Sequence, residues 1–414
     1  MTNKITIIGG TYFEDCSYPR KRLHRGSGGR AACLLSNWNL DVELHTANGP
    51  ELASSFDDLA LHFRFKLCAV RKTSDISFRY RHPLSSPQIY GDLSNKVKYP
   101  SAITTNKALI FGMLEERPLV NAQKAVYDPQ DGCNAERFSS NGSRADELAI
   151  VVSHSEGKKL TGHDTPEVIA EYLLKEDNAK VAIIKCGPIG ALVATSEKKE
   201  WVRAFPTDSV FKIGSGDVFS SAFSFEWLIN DRDPFTAAWF ASRVTAEYVD
   251  NASDRIDIST IDKLREEAAS AHKQHSDSPK RAIPESQIYL AGPFFNTAEQ
   301  WRIDEAREAL LDMGFNVFSP IHDVGEGDIN YVATSDLVAL DNSDIVLAML
   351  DGLDCGTIFE VGYARAQQKP VIVVAESIDN KDLTMIIGSG CILTRDFSAG
   401  IYKTCWMLMG DISE

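Results

Sequence analysis

Two carboxylates, Asp354 and Glu360, stand six residues apart in the run Leu350–Ala364, LDGLDCGTIFEVGYA. The hydrophobic stretch Ile345–Leu350 predicts a strand, and the Gly- and Asp-rich turn after it opens a predicted helix. In an α/β protein this junction presents a nucleophile or base at the carboxyl edge of the sheet, where ligands bind. The positive end of the helix dipole is expected to favour an ionised Glu360 in the first turn. An ionised carboxylate beside an electron-poor anomeric carbon can attack it and stabilise an oxocarbenium-like transition state. A second acid then assists the leaving group. Taken singly, the two residues read equally well as a solvated loop aspartate and a helix-start glutamate.

A second cluster lies upstream. Gly214-Ser215-Gly216-Asp217 precedes a predicted amphipathic helix. Gly-Ser-Gly before a helix points consecutive backbone N–H groups at an anion. An aspartate at the helix start can take a proton from a hydroxyl. Alone, this pattern also describes an ordinary glycine-rich helix cap.

The elements around both clusters alternate. Strands are predicted at Ile5–Ile8, Leu148–Ser153 and Val181–Lys185 in the front region. Helices are predicted there at Arg30–Trp38, Thr165–Lys175, Gly216–Ile229 and Thr236–Tyr248. The back region predicts strands at Gln287–Ala291, Asn316–Ser319, Ile345–Leu350 and Val371–Ala375. Its helices are predicted at Glu299–Met313, Tyr331–Asn342 and Thr357–Gln368. Both halves therefore read as α/β, the second as a doubly wound, flavodoxin-like parallel sheet. The boundaries are set at 1–265, a helix end plus polar linker at 266–286, and 287–414.

The chain has 414 residues and a net charge of −15. From Pro284 onward, 21 Asp/Glu face 7 Lys/Arg, so nearly all the acidity is in the back half. Neither half has the basic footprint of a nucleic-acid binder. No run of about 18 apolar residues suggests a membrane span. The start runs straight into a strand and glycine turn, unlike a signal peptide, so a cytoplasmic protein is expected. Eight cysteines show no metal-ligand spacing and read as reduced thiols.

Across roughly 1–255 the motifs resemble, in order, the ribokinase-like or PfkB family of sugar and nucleoside kinases. Gly9-Gly10 follows the first strand, and Gly26-Ser27-Gly28-Gly29 precedes a helix. Ser153-His154-Ser155-Glu156 with Leu160-Thr161-Gly162 resembles the family's Asn-x-x-Glu…Leu-x-Gly segment. Lys185-Cys186-Gly187-Pro188-Ile189-Gly190 resembles its Thr-x-Gly-x-x-Gly strand-loop, and Ala237–Ser242 its helix beside the adenine. The resemblance implies Asp217 as catalytic base and Gly214, Ser215, Gly216, Gly187 and Gly190 as ATP-binding residues. It implies Gly28 and Gly29 as sugar-binding and Glu156 as organising Mg2+. There are departures. Phe211-Lys212-Ile213 replace the usual Asp-Thr, Cys33 and Ser153 stand for asparagines, and Lys185 stands for threonine. A working kinase, a nucleotide sensor with little turnover and a structural relic are the three readings that follow.

Across about 287–400 the chain resembles the nucleoside 2-deoxyribosyltransferases and the related 2′-deoxynucleoside 5′-phosphate N-hydrolases. Ile288–Phe295 (IYLAGPFF), Asp336-Leu337, Asn342–Val346, the Asp351–Ala364 turn and Lys369-Pro370-Val371 carry the resemblance. It implies Glu360 as nucleophile, Asp354 as base-binding acid, Asp336 as a substrate contact and Tyr289 as holder of the nucleophile. Gly292, Phe294, Gly356 and Ser389 are expected to line the substrate site. No cofactor is implied for this half. Relatives are oligomers whose Met385–Gly390 region lies near a neighbouring subunit's site, so a homo-oligomer is implied. Trp301 is expected in the core. Arg302, Lys381 and Ser389 are the available candidates for a 5′-phosphate, which makes a free nucleoside the favoured substrate. NAD and other ribosides carry the same type of bond. The whole then reads as an N-glycosidic-bond enzyme fused to an ATP-dependent kinase-like domain. The alternative is a single N-glycosidase regulated by a kinase-like half that binds nucleotide without efficient turnover.

Overall fold

The computed structural model describes residues 3–94, 97–130, 135–275 and 285–413. The chain separates into two compact units. The first is Met1–Phe205 with Phe211–Arg281, and the second is Pro206–Val210 with Ala282–Glu414.

The first unit is built on a nine-stranded sheet. Its strand order is Lys199–Val202, Ala191–Ala194, Val181–Lys185, Arg144–Ser153, Val120–Asp128, Ile103–Phe111, Lys4–Ile8, Asp41–Asn48 and Lys66–Arg71. The first two junctions are antiparallel and the rest parallel. The central strands are near-continuous Ile, Val, Leu and Ala, as burial on both faces demands. Helices Gly26–Ser36, Ser215–Ser224 and Pro234–Asn251 bury apolar faces in one large core with Trp38, Phe223 and Trp239. A separate four-stranded sheet joins Lys21–His24, Phe13–Cys16, Ser77–Tyr80 and Gln88–Tyr90. These strands are short and largely polar, and the sequence reading does not contain them.

The second unit carries a five-stranded, all-parallel sheet. Its order is Asn316–Phe318, Gln287–Ala291, Ile345–Met349, Val371–Val374 and Ile392–Thr394. This 2-1-3-4-5 order is the flavodoxin-like one, with its switch point between the first and third strands. Helices Ile329–Asn342 and Cys355–Ala366 pack on the face that carries Tyr289, Ala291, Val346 and Ala348. Helices Thr297–Asp312 and Phe397–Leu408 pack together on the other face, where Gly400 abuts Val374.

Residues 266–275, the start of the segment set as helix end plus linker, form the end of the helix Ile258–His275, which buries Ala268 one turn beyond Leu264. Residues 276–284 of that segment lie outside the described residues. Trp301 is a correction. It is 38% exposed, and its indole N–H donates to Glu305 at 2.8 Å. Its spacing fits the helix face, but the buried stripe of that helix is Ile303, Ala306 and Leu310. Among the described residues every cysteine is free, and no helix is long and apolar enough to cross a membrane.

Candidate functional site

The second unit brings the four expected residues together from three elements. Tyr289 lies mid-strand and is fully buried, with its ring stacked 5.5 Å from that of Phe318. Its hydroxyl donates to Glu360 Oε1 at 2.6 Å. Glu360 sits in the second turn of Cys355–Ala366, and Asp336 on Ile329–Asn342. Burial pushes the Glu360 carboxyl up to about 7. The Tyr289 hydrogen bond pulls it down, and the Asp336 and Asp354 carboxylates push it up. This corrects the helix-dipole expectation. The dipole acts within the first turn, and Glu360 is beyond it, half-buried and among like charges. Burial and the Glu360 carboxylate hold the Tyr289 phenol far above its ordinary range, so it is a permanent donor.

Asp336 carries a buried Oδ1 with no hydrogen-bond partner among the described residues, and burial raises its pKa. A buried acceptor without a partner is rare in a native protein and marks a place for a ligand's donor. Asp354 is the N-cap of Cys355–Ala366. The Thr357 backbone N–H and hydroxyl donate to its Oδ2 at 2.8 and 3.0 Å. Asp354 is thus a helix cap rather than a bare loop aspartate, and the cap bonds fix its carboxyl. A Cβ at Gly356 would stand 3.0 Å from the same oxygen.

Gly292 is tight, since a Cβ there would come within 2.6 Å of Ile303. Phe294 is half-buried against Phe295, with ring centroids 5.1 Å apart. Ser389 is exposed, and its carbonyl accepts from Arg365 Nε at 2.9 Å. A cleft of about 290 Å3 opens at the switch point, lined by Pro293, Arg302, Ile303, Met349, Asp351 and Gly352. None of Tyr289, Asp336, Asp354 and Glu360 lines it. Arg302 bridges Asp351 at 2.9 Å and Glu376 at 2.6 Å, so two carboxylates already neutralise its charge.

Removing the tyrosine hydroxyl gives a direct reading of this geometry. In Tyr289→Phe, Glu360 loses the bond that lowers its pKa. The pH at which the protein becomes active should rise above about 7, and turnover at neutral pH should fall by roughly 10- to 100-fold. A pH–rate profile unchanged from wild type would contradict this.

In the first unit, Asp217 sits in the first turn of Ser215–Ser224, 6% exposed, behind Gly214 in a left-handed conformation (φ 80°). Both of its oxygens are occupied. Arg30 Nη1 donates to Oδ2, and Gln130 Nε2 donates to Oδ1. Arg30 is fully buried and also pairs with Glu14. Only glycine fits position 214, because a Cβ would fall 2.1 Å from the Arg30 guanidinium carbon. The sequence reading missed Arg30, Glu14 and Gln130. A single arginine inside the apolar run GGRAACLL was the available signal, since such a residue must find buried carboxylates.

Gly28 and Gly29 are buried at the start of Gly26–Ser36, where a Cβ would meet Gly9 O at 2.6 Å and the Phe56 ring at 2.5 Å. Gly187 and Gly190 flank a short turn, both at positive φ. Glu156 is the third residue of His154–Thr161, and its Oε2 accepts the Ser153 N–H at 2.7 Å in a capping box. Lys185 Nζ lies 2.7 Å from Asp128 Oδ2, which also accepts from Ser220 at 2.7 Å. The donor set fits a divalent cation poorly. Asp128 Oδ2 holds an ammonium, Glu156 Oε2 closes a cap, and Asp217 is shared by Arg30 and Gln130.

Two family models match the chain. Residues 288–393 match "Nucleoside 2-deoxyribosyltransferase", and residues 146–261 match "pfkB family carbohydrate kinase". Among solved structures, phosphofructokinase-2 from Escherichia coli in complex with potassium aligns at 12% identity with a TM-score of 0.50. That alignment covers 65% of this chain and 100% of that one, and it shows the fold. The nucleoside kinase of Methanocaldococcus jannaschii, an archaeal member of the ribokinase family, aligns at 10% identity with a TM-score of 0.47. It covers 64% of this chain and 99% of that one. No curated protein matches. The chain is therefore a fusion of two α/β parts, one matching the pfkB carbohydrate kinase family and one matching the nucleoside 2-deoxyribosyltransferase family.

Proposed function

We propose that the second unit cleaves or transfers at the N-glycosidic bond of (deoxy)nucleosides through a glycosyl-enzyme on Glu360. The carrying observation is the buried Tyr289–Glu360 hydrogen bond in a cluster with Asp336 and Asp354. Tyr289 holds Oε1, which leaves Oε2 to attack C1′. The C1′–N bond breaks as the C1′–O bond forms, and its electron pair leaves on the base. Asp354, fixed by its cap bonds, contacts the base and passes a proton from solvent to the departing nitrogen. Asp336 Oδ1 accepts from a sugar hydroxyl or a base N–H. Water or a second base then attacks C1′ and returns the carboxylate.

The neutralised Arg302 supports a free nucleoside over a monophosphate, and the acidity of this half points the same way. The exposed apolar residues Ile329, Tyr331, Val338, Phe359, Met385 and Ile387 support self-association. Sedimentation as a monomer at every concentration would contradict it.

For the first unit the Arg30–Asp217 pair favours one reading. Arg30 and Gln130 donate to both oxygens of Asp217, so neither oxygen is free to take a hydroxyl proton. We infer that this unit binds a nucleotide such as ATP with little phosphoryl transfer and regulates its neighbour, rather than adding a second activity. The experiment for both units is one panel. (Deoxy)nucleosides, their monophosphates and NAD are incubated with the protein, with and without ATP, and products are identified by mass spectrometry. Base release from deoxynucleosides with little ATP consumption is expected. Rapid ATP consumption with a nucleoside, ribose or deoxyribose would overturn the second reading.

A further inference from the structure

We propose that the four-stranded sheet of the first unit is a lid latched shut over Asp217 by the chain's own side chains, closing off that aspartate before any ligand binds. The proposal rests on the low-turnover reading of this unit and names what holds the unit shut.

The latch has an apolar part and a charged part. Phe211 and Ile213 stand where the resembled motif has Asp-Thr, and both are buried. Cys16 of the lid strand Phe13–Cys16 is buried against them. Tyr80, which pairs with Cys16 from the strand Ser77–Tyr80, packs on the same cluster. The seat is fixed from the other side by the helix Pro234–Asn251. The Phe211 N–H donates to the Val249 carbonyl at 2.9 Å, and the Tyr248 hydroxyl donates to the Ile213 carbonyl at 2.6 Å. An aspartate and a threonine would offer the lid a wet, polar surface. Two large apolar side chains offer one that is costly to expose.

The charged ties run from the lid to the segment just after that helix. Lys21 of the lid strand Lys21–His24 donates to the Ala252 carbonyl, and its ammonium stands 4.8 Å over the Phe211 ring. Arg25, the next residue after that strand, forms a buried ion pair with Asp254. Glu14, inside the strand Phe13–Cys16, pairs with Arg30, whose guanidinium also holds Asp217. Lid and aspartate therefore share one cation. Lifting the lid takes Glu14 from Arg30, parts Arg25 from Asp254 and bares the Phe211 cluster to water.

Cys16 gives the test its readout, because its thiol is covered only while the lid is seated. The full chain is treated with N-ethylmaleimide, and the labelling of each cysteine is timed by peptide mass spectrometry. In the wild type, Cys16 should react at least about tenfold more slowly than the exposed Cys355. Phe211→Ala and the charge-balanced pair Arg25→Gln/Asp254→Asn should each speed Cys16 by at least about tenfold, while the core Cys33 stays protected. Phe211→Leu, which keeps an apolar seat, should stay near the wild-type rate. Wild-type Cys16 labelled as fast as Cys355 would overturn the proposal, and so would a rate unchanged in both opened variants. Acceleration of Cys33 in step with Cys16 would also overturn it, since the unit would then be unfolding rather than opening a lid. Labelling needs no turnover, so rapid ATP consumption in the panel above would sink the low-turnover reading without altering these rates.

Discussion

Glu360→Gln should abolish base release while making the second unit more stable at neutral pH. Loss of a nucleophile costs orders of magnitude, and a drop of at least about 10³-fold in kcat/KM is expected. The stability effect follows from linkage. The folded carboxyl titrates at about 7, above the ordinary 4.5, because burial opposes its ionisation. Between those pH values the folded state holds more protons than the unfolded state. Stability therefore falls as pH rises from about 4.5 to about 7 and levels above that. Glutamine removes the ionisation and with it the loss. Thermal unfolding at pH 8 should rise by a few degrees in Glu360→Gln, and the difference should shrink toward pH 5. In the wild type, kcat/KM should climb with pH toward about 7, as Glu360, the proposed nucleophile, ionises. An inactive Glu360→Gln with lowered stability at pH 8 would mean that the glutamate is a structural element.

The second large effect lies in the first unit. Arg30→Met leaves Glu14 and Asp217 as buried carboxylates without their cation. Breaking a buried pair from one side costs roughly 3–5 kcal/mol, because the remaining charge is uncompensated. Unfolding followed by fluorescence of the buried Trp38 and Trp239 should show a loss of that size. Adding Glu14→Gln and Asp217→Asn to Arg30→Met should recover most of it, since the charges leave together. With no nucleotide added for the first unit to bind, base release should be unaffected when the folded Arg30→Met and Asp217→Ala variants are assayed. A variant stable to within about 1 kcal/mol of wild type would show that water reaches the pair.

Much of the second unit was legible in the sequence. Its strands are short apolar runs and its helices carry side-chain caps at Asn296, Asp328 and Asp354, so both periodicity and punctuation mark them. The order of Tyr289, Asp336 and Glu360 along the chain fixed which elements carry them, and the parallel sheet brought them together. Burial of Glu360 was not legible. It depends on how Ile329–Asn342 lies over the sheet, which is a tertiary fact, so the dipole argument gave the wrong direction. Trp301 failed for the same kind of reason. An aromatic at helical spacing satisfies the pattern, but the buried stripe passes through Ile303 instead.

In the first unit the glycine loop and Asp217 were visible, while the residues that control Asp217 were not. Arg30 comes from the helix Gly26–Ser36 and Gln130 from the loop after the strand Val120–Asp128, and nothing local ties either to position 217. The small sheet around Phe13–Cys16 was hidden because its strands are three or four residues long and carry charged side chains.

The most direct test of the account is to trap the glycosyl-enzyme. The protein would be mixed with a 2′-deoxynucleoside that it cleaves, quenched in acid, and analysed as intact protein and as peptides by mass spectrometry. The account predicts one added deoxyribosyl group, mapped to the peptide that contains Glu360 and absent from Glu360→Gln. Rapid base release with no adduct on that peptide, or an adduct that persists in Glu360→Gln, would contradict it.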